Sequence, residues 1–498
     1  MYMRCKIKCV RLITSLVAFL TIISMLSGCA GNNNAAVAYD NEGSSATMAD
    51  AVPEDTGADY KVYLSSMPIQ DYKGMTFTLT AEDTPQRPNF HTEAYNGEVV
   101  NDALYERHLT VSEAVNVEFK YESHGNRNKC MDAVKKVILA GEHVYDLVIN
   151  SITGGGINTI MSAEYLTCIS DMPYIDLKQP WWAENIINNF SVGGNLYIAS
   201  GSISPSFFYS AMASVYNMTK AESLGIPLLY DIVESGDWTI DRMGEYIAIG
   251  SADVDGDGEM KRENDFYSLI LSSECGRALF ISAGGSYVER NNEGTFDITI
   301  VSERSLEIAE KVRSVFGNRE NSILEDAAAA KLPEFTQCRT LFGISTMNFI
   351  LTEVRNMEDD FGIIPLPKYD ESQSDYITCG NSYLPCGVII PITCPDAEAT
   401  GYITEMLACT SYGLLTPAIY EITLQGKLAQ DPQSGRMLDI IYNDVNFDIF
   451  SAMDYSSAAM MMREYLVGSR DDIVSAYAAV ESKVVASFEE TVQLLGGK

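Results

Sequence analysis

Apolar and polar residues alternate from Met75 to Thr80 and again from Val117 to Tyr121, and a compact apolar run fills Val144 to Ile149, so three strands are predicted. Between them, Val100, Leu104 and Val111 recur at helical spacing within Val99 to Val115, and Met131 to Ala140 reads as a second helix. A β-α-β-α-β order predicts a parallel sheet covered by helices. Near the end of the chain, Ile473, Tyr477, Val480, Val484, Phe488, Val492 and Leu495 fall on one stripe. Asp471 and Asp472 suit the start of that segment and Gly496 its end, which predicts one amphipathic helix docked on the core. Met460, Met461 and Met462 are expected to pack the same core.

The first residues follow another pattern. Arg4, Lys6, Lys8 and Arg11 precede an apolar stretch, Leu12 to Leu26, that is short for a spanning helix, so the segment reads as an export signal. Leu26-Ser27-Gly28-Cys29 resembles the lipobox of bacterial lipoproteins. The resemblance implies a signal peptide over residues 1–28 and a lipid on the Cys29 thiol, with the mature chain held on the outer side of the cell membrane. Each buried methylene contributes about 0.8 kcal/mol, so two or three acyl chains anchor durably where one does not. From Ala30 to about Pro68 small and polar residues dominate, and a disordered tether is expected over residues 29–70.

The net charge of −34 argues against nucleic acid as a partner, and loss of the basic signal makes the mature chain more acidic still. A body of more than 400 residues predicts two lobes rather than one core. Cys130, Cys168, Cys275, Cys338, Cys379, Cys386, Cys394 and Cys409 show no CxxC pair or zinc spacing, and are read mainly as buried small apolar residues. There is no GxSxG or HExxH motif, and His91, His108, His124 and His143 lack metal spacing, so no catalysis is expected. A glycoside hydrolase working with two carboxylates is the competing enzyme class.

Open α/β sheets bind ligands beyond the carboxyl ends of their strands, which singles out the loops Ala81 to Phe90 and Asn150 to Gly156. In the second, Asn150, Ser151 and Thr153 offer polar side chains beside a glycine run that a ligand can approach, though three glycines also make a plain flexible turn. Asp253, Asp255, Asp257, Gly258 and Glu259 resemble the start of an EF-hand loop. Asn264 stands where a bidentate carboxylate would close the shell, with Glu263 and Asp265 on either side of it. A structural calcium ion is one reading and an Asx-rich turn without an ion is the other.

Five segments in order, NGEVVNDALYERHLTVSEAVNVEF, GEHVYDLVINS, DLKQPWWAENIINNFSVGGNLYIASGSIS, SGDWTIDRMGEYI with DVDGDGE, and DDFGIIPLPKYDESQSDYIT, together resemble extracellular solute-binding proteins of family 1. That resemblance implies an α/β, two-lobed periplasmic-binding-protein-like fold of type II, with the ligand in a cleft between lobes joined by hinge crossovers. It places a first lobe over residues 71–205, a second over 206–380, a return segment over 381–426 and C-terminal helices of the second lobe over 427–498. It further implies a monomeric receptor that delivers a sugar or oligosaccharide to ABC transporter permease subunits. A peptide or amino acid is the alternative solute. Pyranose rings need flat apolar faces and a polar rim. The mapping therefore selects Asn150, Ser151, Thr153, Trp181, Trp182, Phe208, Tyr209, Gly284, Gly285 and Tyr383 as ligand-binding candidates. Trp238 matches a structural Trp-Thr helix start. Ser202 stands where similar proteins often carry an acid, which departs from their pattern.

Overall fold

The computed structural model describes residues 56–82, 90–153, 160–162, 164–325, 331–381, 383–423, 432–443 and 445–496. Cys29 and the glycines at 154–156 lie outside them. Alternation at the start of the body produces the first sheet. Strands β1 (Met75–Ala81) and β2 (Val117–Ser123) run parallel, setting Phe77 opposite Phe119. Strand β3 (Leu147–Ser151) is parallel to β1 and starts later than the apolar run suggests. Helices α1 (Thr56–Ser66), α2 (Val99–Val115) and α3 (Arg127–Ala140) belong to this half. Helix α2 buries Val100, Leu104, Val111 and Val115, the stripe its spacing predicts. Helix α3 starts at an Asn126 cap and ends at Gly141, whose φ of 66° is one glycine adopts without strain.

After helices α4 (Glu184–Phe190) and α5 (Pro205–Ser210) the chain builds a second sheet. Its strands are β4 (Met212–Asn217), β5 (Tyr267–Ser272), β8 (Ser322–Glu325), β9 (Thr340–Thr346) and β10 (Phe361–Ile364), in the order β10-β4-β9-β5-β8. Strands β6 (Val288–Arg290) and β7 (Phe296–Ile298) form a separate hairpin. The chain then returns through β11 (Thr378–Cys379) to β12 (Cys386–Ile389), which closes the first sheet antiparallel to β3, in the order β12-β3-β1-β2. The long Ala397–Thr423 helix packs against α1 and α2. Beyond it, β13 (Val445–Asn446) pairs with β11, and the Ala458–Leu466 helix packs on the helices Ser273–Ser282 and Glu303–Phe316 of the second half. The architecture is therefore α/β and two-lobed, each lobe a sheet with its own helices.

Three expectations need correction. The tract read as tether up to Pro68 contains α1, because Tyr60 and Tyr63 anchor it. The Tyr60 ring lies over Gly413, where an added Cβ would come within 2.2 Å of it. The Tyr63 ring meets Trp181 edge-on at 4.6 Å. The C-terminal stripe is buried as predicted except for half-buried Val480, but it runs over two helices, Val474–Ala478 and Glu481–Leu494, since Val480 leaves helical geometry at φ −119°, ψ −7°. Of the three methionines, Met462 is fully buried whereas Met460 is exposed. No two of the eight cysteines form a disulfide among the described residues, and five of them are buried.

Candidate functional site

The carboxyl ends of both sheets face the return crossing. Strand β1 leads into Glu82, whose Oε1 accepts the Cys386 thiol at 3.2 Å. Strand β2 leads into α3, which begins at Arg127. Strand β3 ends in Asn150 and Ser151, with Thr153 two residues beyond, all buried, and the two hydroxyls lie 3.4 Å apart. Among the described residues the Asn150 Oδ1 has no hydrogen-bond partner, an uncommon state for a buried acceptor. From the other lobe, β5 leads into the Ser273–Ser282 helix, which carries Glu274 and Arg277.

Tyr383 stands where these ends meet. The residue is 41% exposed, with the Arg127 guanidinium 5.7 Å from the centre of its ring and that of Arg463 at 5.8 Å. Arg127 also donates to the Thr153 carbonyl at 3.4 Å, and Arg463 to the Tyr383 hydroxyl at 3.4 Å. Arg463 bonds Glu274 at 2.8 Å, while Arg277 bonds Glu274 at 2.5 Å and the Gly380 carbonyl at 2.6 Å. Burial alone would raise the Glu274 carboxyl, but Arg277 and Arg463 outweigh it and hold the group below its ordinary range. A chain of charge-assisted contacts thus links the first lobe, the crossing and the second lobe.

A second space has a volume of about 1230 Å³ and is lined by Trp181, Trp182, Phe208, Tyr376, Tyr412 and Tyr442, among others. None of its lining residues belongs to a strand of the two large sheets. The two indoles are almost wholly buried, and their N–H groups donate to the two oxygens of Glu405, at 3.0 Å from Trp181 and 2.9 Å from Trp182. The Tyr63 hydroxyl, at 3.0 Å, and the Asp176 amide, at 3.4 Å, complete the set around Glu405. Burial pushes this carboxyl up to about 7 in spite of those donors.

The residues read as ligand-binding are therefore divided. Asn150, Ser151, Thr153 and Tyr383 gather at the strand ends, while Trp181, Trp182 and Phe208 line the other space. Half-buried Tyr209 follows Phe208 in α5, and burial pushes its hydroxyl up to about 12. Gly284 and Gly285 shape the turn after the Ser273–Ser282 helix: the first has φ +78°, and a Cβ on the second would lie 2.5 Å from Phe280. Trp238 is fully buried and donates to the Pro365 carbonyl at 2.9 Å. Ser202 accepts from Thr416 at 3.2 Å. Arg127, Glu274, Glu405 and Arg463 escape the sequence reading. The one available signal for Arg127 is a basic first helical residue in a turn without acids.

In the acidic loop, Asp253, Asp255 and Asp265 bring carboxylate oxygens within 4.8 Å of one another. Asp257 and Glu259, grouped with them from sequence, instead pair with Lys261, because the loop turns both toward that cation. Backbone N–H groups of Lys261 and Val254 hold Asp265 below its ordinary range. Asp253 accepts from Gly256 and Gly258, both at 2.7 Å. These donors and Lys261 offset the mutual repulsion of the carboxylates.

The fold just described is that of the two-lobed substrate-binding proteins of ABC transporters. No protein-family model matches the sequence, and no curated protein matches it. The chain is similar to the cyclic alpha-maltosyl-1,6-maltose binding protein from Arthrobacter globiformis, with 13% identity and a TM-score of 0.55 over 84% of this chain and 100% of that one. It is also similar to UgpB from Mycobacterium tuberculosis, solved with glycerophosphocholine, with 12% identity and a TM-score of 0.53 over 84% and 99%. A third is the galacto-N-biose/lacto-N-biose I-binding protein of the Bifidobacterium longum ABC transporter, solved with lacto-N-biose, with 12% identity and a TM-score of 0.51 over 86% and 100%.

Proposed function

We propose that this chain is a receptor that closes its lobes over a sugar or oligosaccharide and presents it to an ABC permease, anchored outside the cell by lipid on Cys29. The observation that carries the reading is the convergence of both sheets' carboxyl ends on Tyr383, with polar groups arriving from each lobe. An exposed tyrosine ring serves the flat face of a pyranose, and Asn150, Ser151, Thr153 and Glu82 supply rim partners. Two of the similar structures are named for saccharides and one was solved with a glycerophosphodiester, so the chemistry of the crevice, not the fold, selects the solute. Capture and release need no nucleophile, and the reading assigns no catalytic step.

The test is a thermal-shift screen of the purified protein against mono- and oligosaccharides, with peptides and amino acids as the contrast set. A ligand at a hundredfold excess over its Kd stabilises the folded state by about 2.7 kcal/mol. A shift with saccharides that Tyr383→Ala abolishes is expected. Shifts with peptides alone would keep the fold and overturn the solute class. The anchor is tested separately: Cys29→Ser should move the expressed protein out of the membrane fraction, and unchanged partitioning would remove the lipid from the reading.

A further inference from the structure

The cations at the crevice go further than the receptor reading on which this inference rests. The protein carries 68 acidic residues against 34 lysines and arginines, so a cation set at a strand end without a carboxylate is the group an anionic ligand would meet. Arg127 is one: half-buried, it donates to the Thr153 carbonyl, and among the described residues no carboxylate pairs with it. It is also the first residue of α3, whose first turn holds no acid. A positive charge there meets the positive end of the helix dipole, so the position costs the fold a little.

Arg463 approaches the same tyrosine ring from the other lobe. Its side chain is 12% exposed, and among the described residues its Nε has no hydrogen-bond partner although its Nη1 holds Glu274. Glu274 is shared between Arg463 and Arg277, so these three groups carry one net positive charge. Negative groups stand nearby as well. Glu82 lies at the end of β1, and Asp448 and Asp454 lie close to Arg277 and Arg463, where burial pushes both of these carboxyls up, toward neutrality. Two guanidinium groups, one from each lobe, thus lie within 6 Å of the centre of one exposed ring at the strand ends, and an anion there would meet both.

We propose that the saccharide bound here carries an oxyanion, foremost the carboxylate of a uronic acid, received by Arg127 and Arg463 beside Tyr383. Guanidinium forks match the geometry of carboxylate and phosphate oxygens, which suits them to a planar anion attached to a sugar ring. Because its two partners belong to different lobes, the anion also draws the lobes together, so charge recognition and closure become one event. The plainer reading is that the arginines clasp Tyr383 as cation–π packing and meet no ligand.

The experiment is calorimetric titration of the purified protein with uronic-acid di- to tetrasaccharides, their carboxyl-reduced neutral counterparts, sugar phosphates and neutral oligosaccharides. Binding of the acidic saccharides at least tenfold tighter than their reduced counterparts is expected. Arg127→Ala should remove that preference without changing the ligand-free midpoint, and Arg127→Lys should keep part of it. Higher salt should weaken only the acidic ligands. Binding of sugar phosphates but not uronides would support the oxyanion site and assign it to phosphate. Equal binding of acidic and reduced saccharides, or a preference that survives Arg127→Ala, would overturn the proposal and leave the saccharide receptor standing. If only peptides or amino acids bind, the receptor reading fails first.

Discussion

Glu405 accepts hydrogen bonds from two indoles, a tyrosine and a backbone amide inside a helix that is otherwise mostly apolar. Its carboxyl is raised from 4.5 to about 7 by burial, against the pull of those donors. The sign of the resulting pH effect follows. Between these two values the folded state keeps a proton that the unfolded chain has released, so stability falls as pH rises through that window and levels off above it. The whole effect is at most about 3 kcal/mol, at 1.36 kcal/mol per pH unit. Glu405→Gln removes the titration, so the stability difference between wild type and variant should change from pH 4.5 to 7 and stay constant above 7. Urea unfolding at a series of pH values measures it, and a difference independent of pH would show that Glu405 ionises like an exposed acid. Nothing in the local sequence points to this residue, because its partners come from Tyr63, Asp176, Trp181 and Trp182.

At the level of elements, α1 shows how a polar-looking tract can be structural. Its composition resembles a linker, and two tyrosines reverse that reading by filling the space above Gly413 and bonding Glu405. A chain that starts at Met67 therefore loses the buried Tyr60 side chain, at roughly 1.5–3 kcal/mol, together with the half-buried Tyr63, and leaves Glu405 one donor short. Its urea midpoint should fall well below that of the intact chain, while Tyr63→Phe should cost about 1 kcal/mol through the lost hydrogen bond alone. Equal stability of the truncated and intact chains would return α1 to the tether. The predicted strands and helices of the first sheet were legible because periods of two and 3.6 residues are properties of neighbours in the chain. The break near Val480 was not, since the apolar stripe continues across it.

For the whole molecule, the consequence is mechanical. Contacts from both lobes meet at the return crossing, and a ligand held by both must favour the closed arrangement by its extra contacts there. Small-angle X-ray scattering with and without the ligand identified by the thermal screen should show a smaller radius of gyration in its presence. An unchanged radius would assign the protein to rigid surface binding instead. Polar contacts such as Asn189 Nδ2 to Asn446 Oδ1 at 2.9 Å and to the Phe447 carbonyl at 2.7 Å also join the lobes and must adjust when they move.

Taken alone, the sequence determined the α/β class, the β-α-β-α-β succession at the start of the body, the stripe of the C-terminal helices and the interest of Asn150, Ser151, Thr153 and Tyr383. Each of these rests on local periodicity, on the rule that ligands meet strand ends, or on resemblance. Only the tertiary structure decided that Trp181 and Trp182 turn their polar edges to Glu405, that Asp265 joins Asp253 and Asp255, and that Arg127 and Arg463 share one tyrosine. The physical reason is that these groups lie far apart in the chain and are brought together by the crossings between lobes. Juxtaposition of that kind leaves no period in the sequence to read.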